Sequence, residues 1–264
     1  FYVFIVDVDR NEYFNRSRNS YAEAEILSMN HETDSLTGLL NMSFFYQSVQ
    51  MLLSSPKGRR KNVFIIHFDI PNFKLFNERN GFRLGDELLC DFAQIIKEVF
   101  REDICARFSD DHFVVCSTME KEDVITGIEK VYRTLLTSSE STKRVRIKAG
   151  VYYLNGRVTE IGLACDHARL ACNSIKGRHD LFYSVYDEML REKLRKQQYV
   201  VDHVDEAIEK EYIKVYYQPV IRVRTGEICG YEALVRWVDP KVGFLSPGDF
   251  IETLEQFHLI HKID

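Results

Sequence analysis

The sequence predicts an α/β (α+β) protein with a mostly antiparallel sheet and helices outside it. Three observations carry this. VFIIHFD (63–69) is a continuous apolar run that reads as a buried central strand. ICARF and FVVCS (104–108 and 113–117) flank SDDH and read as a hairpin. Segments with apolar residues at helical spacing alternate with these strands.

The elements follow in order. FYVFIVDVD alternates and ends in acids, so it reads as a strand; residues 16–33 are polar and helix-prone and suit a connector. Asp34 and Thr37 offer caps for a helix carrying Phe44, Phe45, Val49 and Leu52. SSPKGRRK (54–61) is a loop, Pro71 ends the strand at Asp69, a helix follows near 72–79, and NGFRLGDE (80–87) is a glycine-bearing turn. Leu88, Phe92, Ile95, Ile96 and Val99 share one helical face. Beyond the hairpin we expect a helix at 121–138, a strand at 145–154, a helix at 161–175 and a strand at 180–187. Residues 188–211 mix both charge signs with Leu190, Leu194, Val201, Val204 and Ile208 at helical spacing, the pattern of a linker helix. Strands at 215–223 and 231–237 and a helix at 245–260, with Pro247 in its first turn, complete the chain.

Bulk properties narrow the function classes. The 264 residues carry a formal charge of −5, which argues against a broad nucleic-acid or membrane-surface footprint. No apolar stretch approaches the ~20 residues a spanning helix needs, and no signal-peptide pattern is present. We therefore expect a cytoplasmic location, with room for a membrane tether upstream of Phe1. The cysteines at 90, 105, 116, 165, 172 and 229 form no C-x-x-C pair and read as reduced thiols used as small hydrophobes.

Chemistry concentrates at strand ends. Asp69 closes the buried strand and Asp111 sits at the hairpin tip. If those strands are neighbours, the two carboxylates converge into a site for Mg2+ or Mn2+; as solvated turn acids they need no ligand. Asn77 and Asp86 together suit a guanine edge, which offers N–H donors and a carbonyl acceptor, while taken singly a helix C-cap for Asn77 and a helix N-cap for Asp86 are the better readings. Lys74 lies where a helix N-terminus meets phosphate.

Four linked stretches carry a family likeness: D-x-L-T-G-L-x-N from Asp34 to Asn41, FDIPNFKLFN at 68–77, G-x-x-x-G-D from Gly81 to Asp86, and RFSDDHF at 107–113. In order and spacing they resemble the GGDEF domain of diguanylate cyclases over roughly residues 32–187. The resemblance implies a five-stranded cyclase-like sheet with the signature on a hairpin. It also implies GTP and cyclic di-GMP as ligands, a divalent cation on Asp69 and Asp111, Asp111 as a catalytic base, and guanine contacts from Asn77 and Asp86. Lys74 and Arg178 would serve the nucleotide. YYQP at 216–219 and YEALVRW at 231–237 resemble the start of an EAL domain, the phosphodiesterase TIM barrel, with Glu232 as metal ligand and Arg236 on substrate phosphate. The opening strand and polar helix resemble the end of a PAS sensor domain. The implied domains are 1–33, 34–187, a linker helix at 188–211, and 212–264, in a homodimeric GGDEF–EAL protein.

Departures from the family pattern shape the expected function. The two signature glycines are Ser109 and Asp110, and the second signature glutamate is His112. The second acid of D-x-D is Pro71, which also removes an N–H. The family's phosphate lysine falls on Asn173, with Lys176 out of register, and its product-inhibition arginine falls on Phe100, leaving Asp103. Metal and guanine positions persist while phosphate positions are damaged. The expected loss is several kcal/mol of transition-state stabilisation, on the order of 10³-fold in rate. A regulatory GTP-binding or relay module is the leading expectation. An active cyclase with an atypical signature and a structural dimerisation module are the alternatives.

Overall fold

The computed structural model describes residues 32–55, 62–138, 145–154 and 160–263. The expected strand at 1–9, nearly all of the connector helix at 16–33 and most of the loop at 54–61 lie outside the described residues. The chain divides after Tyr186 into two compact units.

The first unit holds helix α1 (Met42–Ser54), strand β1 (Val63–Asp69), α2 (Phe73–Asn80), α3 (Phe82–Val99), β2 (Ile104–Ser109), β3 (His112–Ser117), α4 (Lys121–Ser138), β4 (Lys148–Leu154), α5 (Ile161–Asn173) and β5 (Tyr183–Val185). Its five strands run in the order β2-β3-β1-β4-β5. All pairs are antiparallel except β4 with β5. Every residue of β1 is buried, because strands flank it on both sides and helices cover both faces. Phe64, Ile66 and Phe68 pack with α3 residues such as Phe92 and Ile96 in one core, and Val63 and Ile65 pack with Phe45, Val49 and Ala164 in another. Alternation along a pleated strand sends successive side chains into these two layers.

Local chemistry sets the element ends. Helix α1 is capped by Asn41, whose Oδ1 accepts the Phe44 N–H at 3.1 Å, not by Asp34 or Thr37 as expected. Those two residues close a turn instead, with the Thr37 N–H and hydroxyl donating to Asp34 Oδ1 at 2.9 and 2.7 Å. The expected turn over 80–87 contracts to Gly81 alone, at φ +86, and α3 begins at Phe82. Glycine takes a positive φ without a Cβ clash, so one residue suffices to redirect the chain between helices. The strands expected at 145–154 and 180–187 are shorter, 148–154 and 183–185.

The second unit holds α6 (Glu188–Glu209), β6 (Ile213–Ile221), β7 (Ile228–Asp239), β8 (Gly243–Leu245), α7 (Pro247–Gln256) and a short 3-10 turn at Ile260–Lys262. Asp187 caps α6 by accepting the Leu190 N–H, and Ser246 and Asp249 form a capping box on α7. The helix expected as a linker contributes Val200, Val204 and Ala207 to a core with Trp237, Leu245, Phe250 and Leu254. Among the described residues no helix is long and apolar enough to cross a membrane.

Candidate functional site

The sheet brings Asp69 and the hairpin tip together. Antiparallel pairing of β1 with β3 sets Phe68 opposite Phe113, so the C-terminal end of β1 meets the start of β3. The Ile70 N–H donates to Asp111 Oδ2 at 3.2 Å. Oxygen and nitrogen ligand atoms of Asp69, Asp111 and His112 all lie within 4.8 Å of one another.

Asp69 is 2% exposed and engages two basic side chains. Lys176 Nζ donates to its Oδ1 at 2.9 Å, and His112 Nδ1 stands 3.3 Å from the same oxygen. Burial pushes the Asp69 carboxyl up, but these two partners win and hold it below the usual carboxylate range. Asp111 moves the other way, raised by burial and then by the charge of Asp69. The Asp69 contact raises the His112 imidazole, against burial.

A close approach of backbone places Lys176. A Cβ at Gly150 on β4 would lie 1.9 Å from Ala168 O and 2.3 Å from Cys172 N, so only glycine lets α5 sit this near the sheet. The turn after α5 then delivers Lys176 to Asp69, across 107 residues of sequence. Lys176 had read as out of register and His112 as a lost glutamate; both are site residues that sequence reasoning missed. For His112 the available signal was its place directly after Asp111; for Lys176, 107 residues from Asp69, the sequence carried none.

The tip itself is locked by Arg107. Its Nε and Nη2 donate to Asp110 O at 2.9 and 2.7 Å, and its Nη1 donates to Asp34 Oδ1 at 3.0 Å. Burial opposes it, yet hydrogen bonds from Thr37 and Arg107 hold the Asp34 carboxyl below its usual range. The D-x-L-T-G-L-x-N stretch thus braces the hairpin, helped by the Arg107 N–H donating to Leu40 O at 2.9 Å. Asp110 sits at φ +40, left-handed backbone that favours glycine, so the turn keeps a glycine-type geometry while carrying a carboxylate.

Asn77 and Asp86 lie either side of the Gly81 break. Asn77 Oδ1 is buried without a hydrogen-bond partner and abuts Gly85, where a Cβ would come within 2.0 Å of it. Asp86 is exposed on α3. Neither side chain caps a helix: Asn77 lies inside α2, and α3 starts from Gly81 without a side-chain cap. Lys74 is exposed on the first turn of α2. Arg178 is held by Asp180, with Nε and Nη2 donating at 3.1 and 2.7 Å. In the second unit, Glu232 and Arg236 stand four residues apart on β7, opposite Gln218 and Lys214 on β6, with Arg236 Nη1 donating to Val235 O at 2.8 Å.

The donor set fits a divalent cation. Two carboxylates and an imidazole converge, and Asp69 Oδ2 and His112 Nδ1 are both buried without a hydrogen-bond partner. Ligands about 2.0–2.2 Å from a metal fall within such a spacing.

Comparison with known proteins settles the family. Residues 31–180, more than half the chain, match the diguanylate cyclase GGDEF domain. The chain belongs to the GGDEF family. Residues 201–264 match the EAL domain. The cyclic di-GMP phosphodiesterase NbdA of Pseudomonas aeruginosa is 28% identical over 243 residues, covering 88% of this chain and 30% of NbdA. The GGDEF chain thus spans about a third of the length of curated relatives it matches. The coiled coil and GGDEF domain of DgcB from Caulobacter crescentus, solved with c-di-GMP, superposes with a TM-score of 0.60 at 17% identity, over 66% of this chain and 96% of that one. An S helix-GGDEF-EAL structure of Vibrio cholerae LapD, bound to c-di-GMP, matches 94% of this chain and 58% of its own length, with a TM-score of 0.58 at 18% identity. At these identities the structural matches carry the fold. GGDEF and EAL domains generally use divalent metal ions, in keeping with the carboxylate corner.

Proposed function

We propose that residues 34–187 act as a regulatory GGDEF module in a cyclic di-GMP signalling protein of GGDEF–EAL type, with cyclase chemistry reduced or lost. In this reading residues 1–33 end a PAS-like sensor and connector, the helix at 188–211 links the modules, and 212–264 begin the phosphodiesterase domain. The parent protein works in the cytoplasm as a homodimer, free or tethered to the membrane's inner face.

The observation that carries the reading is Asp110 at φ +40 on a tip clamped by Arg107. The glycine-type turn is retained, but it now carries an exposed carboxylate next to Asp111 in the chain, and this added negative charge at the tip repels phosphate. Cyclisation needs a 3′-oxygen in line with the α-phosphate of a second nucleotide, and positioning and electrostatics supply most of its catalysis. A tip that repels phosphate removes both.

Each residue has a role in the binding half of this chemistry. Asn77, with an unsatisfied Oδ1, and Asp86 read the guanine edge. Lys74 lies toward the phosphates and Arg178 joins it on leaving Asp180. Asp69 and Asp111 would hold Mg2+ or Mn2+, which when bound neutralises phosphate charge, and Asp111 is the base a residual cyclase would use. Glu232 and Arg236 would serve metal and phosphate in the EAL domain.

Calorimetric titration with GTP and Mg2+, together with mass spectrometry of the incubated mixture, tests the proposal. Saturable heat without cyclic di-GMP is the expected result. No heat at millimolar GTP leaves a nucleotide-free relay. Robust cyclic di-GMP synthesis overturns the regulatory reading in favour of an active cyclase, which the convergence of Asp69 and Asp111 favours. A S109G/D110G double variant should bind GTP at least about tenfold more tightly if the tip is the obstruction.

A further inference from the structure

We propose that His112 turns the carboxylate corner into a mixed nitrogen–oxygen site that selects a borderline transition cation of the Mn2+, Co2+ or Zn2+ class over Mg2+, and that Lys176 is the internal counter-ion displaced when it loads. The inference rests on the reading of the Asp69–Asp111 corner as a cation site.

Three observations support it. First, His112 Nδ1 faces the site: it stands 3.3 Å from Asp69 Oδ1, buried and without a hydrogen-bond partner. Once a cation takes the place of the proton, Nδ1 offers its lone pair on the same side as the carboxylates. Second, Asp69 is 2% exposed, yet its Oδ2 also lacks a hydrogen-bond partner, which leaves a buried oxygen open to a cation. Third, the His112 ring is held in place by the buried His67 ring, 5.2 Å away between centroids.

Ligand chemistry then sets the preference. Imidazole suits Zn2+, Co2+ and, more weakly, Mn2+, whereas Mg2+ demands oxygen ligands and keeps its waters. A glutamate at this position would complete an all-oxygen set. His112 replaces one hard ligand by a borderline one.

Lys176 explains how buried carboxylates remain stable before loading. Its ammonium lies 2.9 Å from Asp69 Oδ1, but its side chain is 42% exposed, so it can swing to water when a doubly charged ion arrives. Two carboxylates, one ammonium and a polarisable ring form a site that keeps its charges compensated in either state.

The test uses the intact chain without nucleotide. Calorimetric titrations with Mn2+, Co2+ and Mg2+ give relative affinities, and pulsed EPR of the Mn2+ complex reads nitrogen coupling directly. We expect Mn2+ and Co2+ to bind at least about tenfold more tightly than Mg2+, with a ¹⁴N coupling from one imidazole. H112E should abolish the coupling and shift the preference toward Mg2+. K176M should tighten Mn2+ binding. Circular dichroism confirms that each variant is folded, and H112Q, which keeps a polar side chain, provides a second route to losing the coupling. Equal affinity for Mg2+ and Mn2+, no metal binding, or ¹⁴N coupling that survives H112E and H112Q overturns the inference. GTP–Mg2+ binding without nitrogen coupling sinks this inference and leaves the proposed function standing. Nitrogen coupling without any response to GTP upholds this inference and reduces the proposed function to its nucleotide-free relay form.

Discussion

Two strands of similar composition meet opposite fates in this chain. VFIIHFD in β1 is buried at all seven positions, whereas IKVYYQPVI in β6 leaves Val215, Tyr217 and Val220 at 51%, 68% and 46% exposure. Both segments are rich in β-branched and aromatic residues, as strands should be. What differs is the company each keeps. Strand β1 has a partner on each edge and helices over both faces, while β6 pairs with β7 alone among the described residues. Apolar content declares a strand; the layers around it decide whether that content is stabilising.

Substitutions turn this contrast into measurements. The protein has one tryptophan, Trp237, in the second unit's core, so its fluorescence reports that unit while far-ultraviolet dichroism reports the whole. Phe68→Ala should cost the first unit about 4 kcal/mol in urea unfolding, since the side chain is fully buried and meets Phe92 edge-on at 5.9 Å. The fluorescence transition should stay put.

Acid should act through the same strand. His67 is 4% exposed, and burial, with the nearby His112, pushes its imidazole down to about 3. The unfolded chain takes up that proton near pH 6.5 and the folded protein does not, so stability is full above about 6.5 and falls as pH drops toward 3. The loss is on the order of 4 kcal/mol across that window. His67→Phe should flatten the slope of unfolding free energy against pH between 6.5 and 4; an unchanged slope would place the acid sensitivity elsewhere.

Gly150→Ala should cost about 2–3 kcal/mol and pull α5 from the sheet, because backbone atoms stand where the new Cβ must go. Lys176 would then lose register with Asp69, readable as altered Mn2+ affinity. Asp34→Ala should cost about 1–2 kcal/mol through the loss of the Arg107 and Thr37 hydrogen bonds. Val220→Ala should stay within about 0.5 kcal/mol. A large effect there would show that β6 is covered in solution and would break the contrast between the two sheets.

Much of the architecture was legible locally. The run at 63–69 and the helix at 121–138 appear with the expected ends, because an apolar run closed by Asp69 and Pro71 and a helical repeat are properties of neighbouring residues. Caps and turns were harder. Asp34, Thr37 and Asn41 are all capping residue types within eight positions, and the choice of Asn41 depended on Asp34 being taken by Arg107 from the hairpin.

The candidate site divides along the same line. The order of its motifs determined the family likeness, the expected nucleotide contacts and the departures from the signature. Only the tertiary structure decided that Lys176 neutralises Asp69, that His112 turns its Nδ1 toward the carboxylates, and that Arg178 turns to Asp180. The physical reason is range. Periodicity and turn chemistry act over a few residues, whereas these charges meet because a glycine on β4 lets a helix pack close enough to carry a lysine across 107 residues to a buried acid.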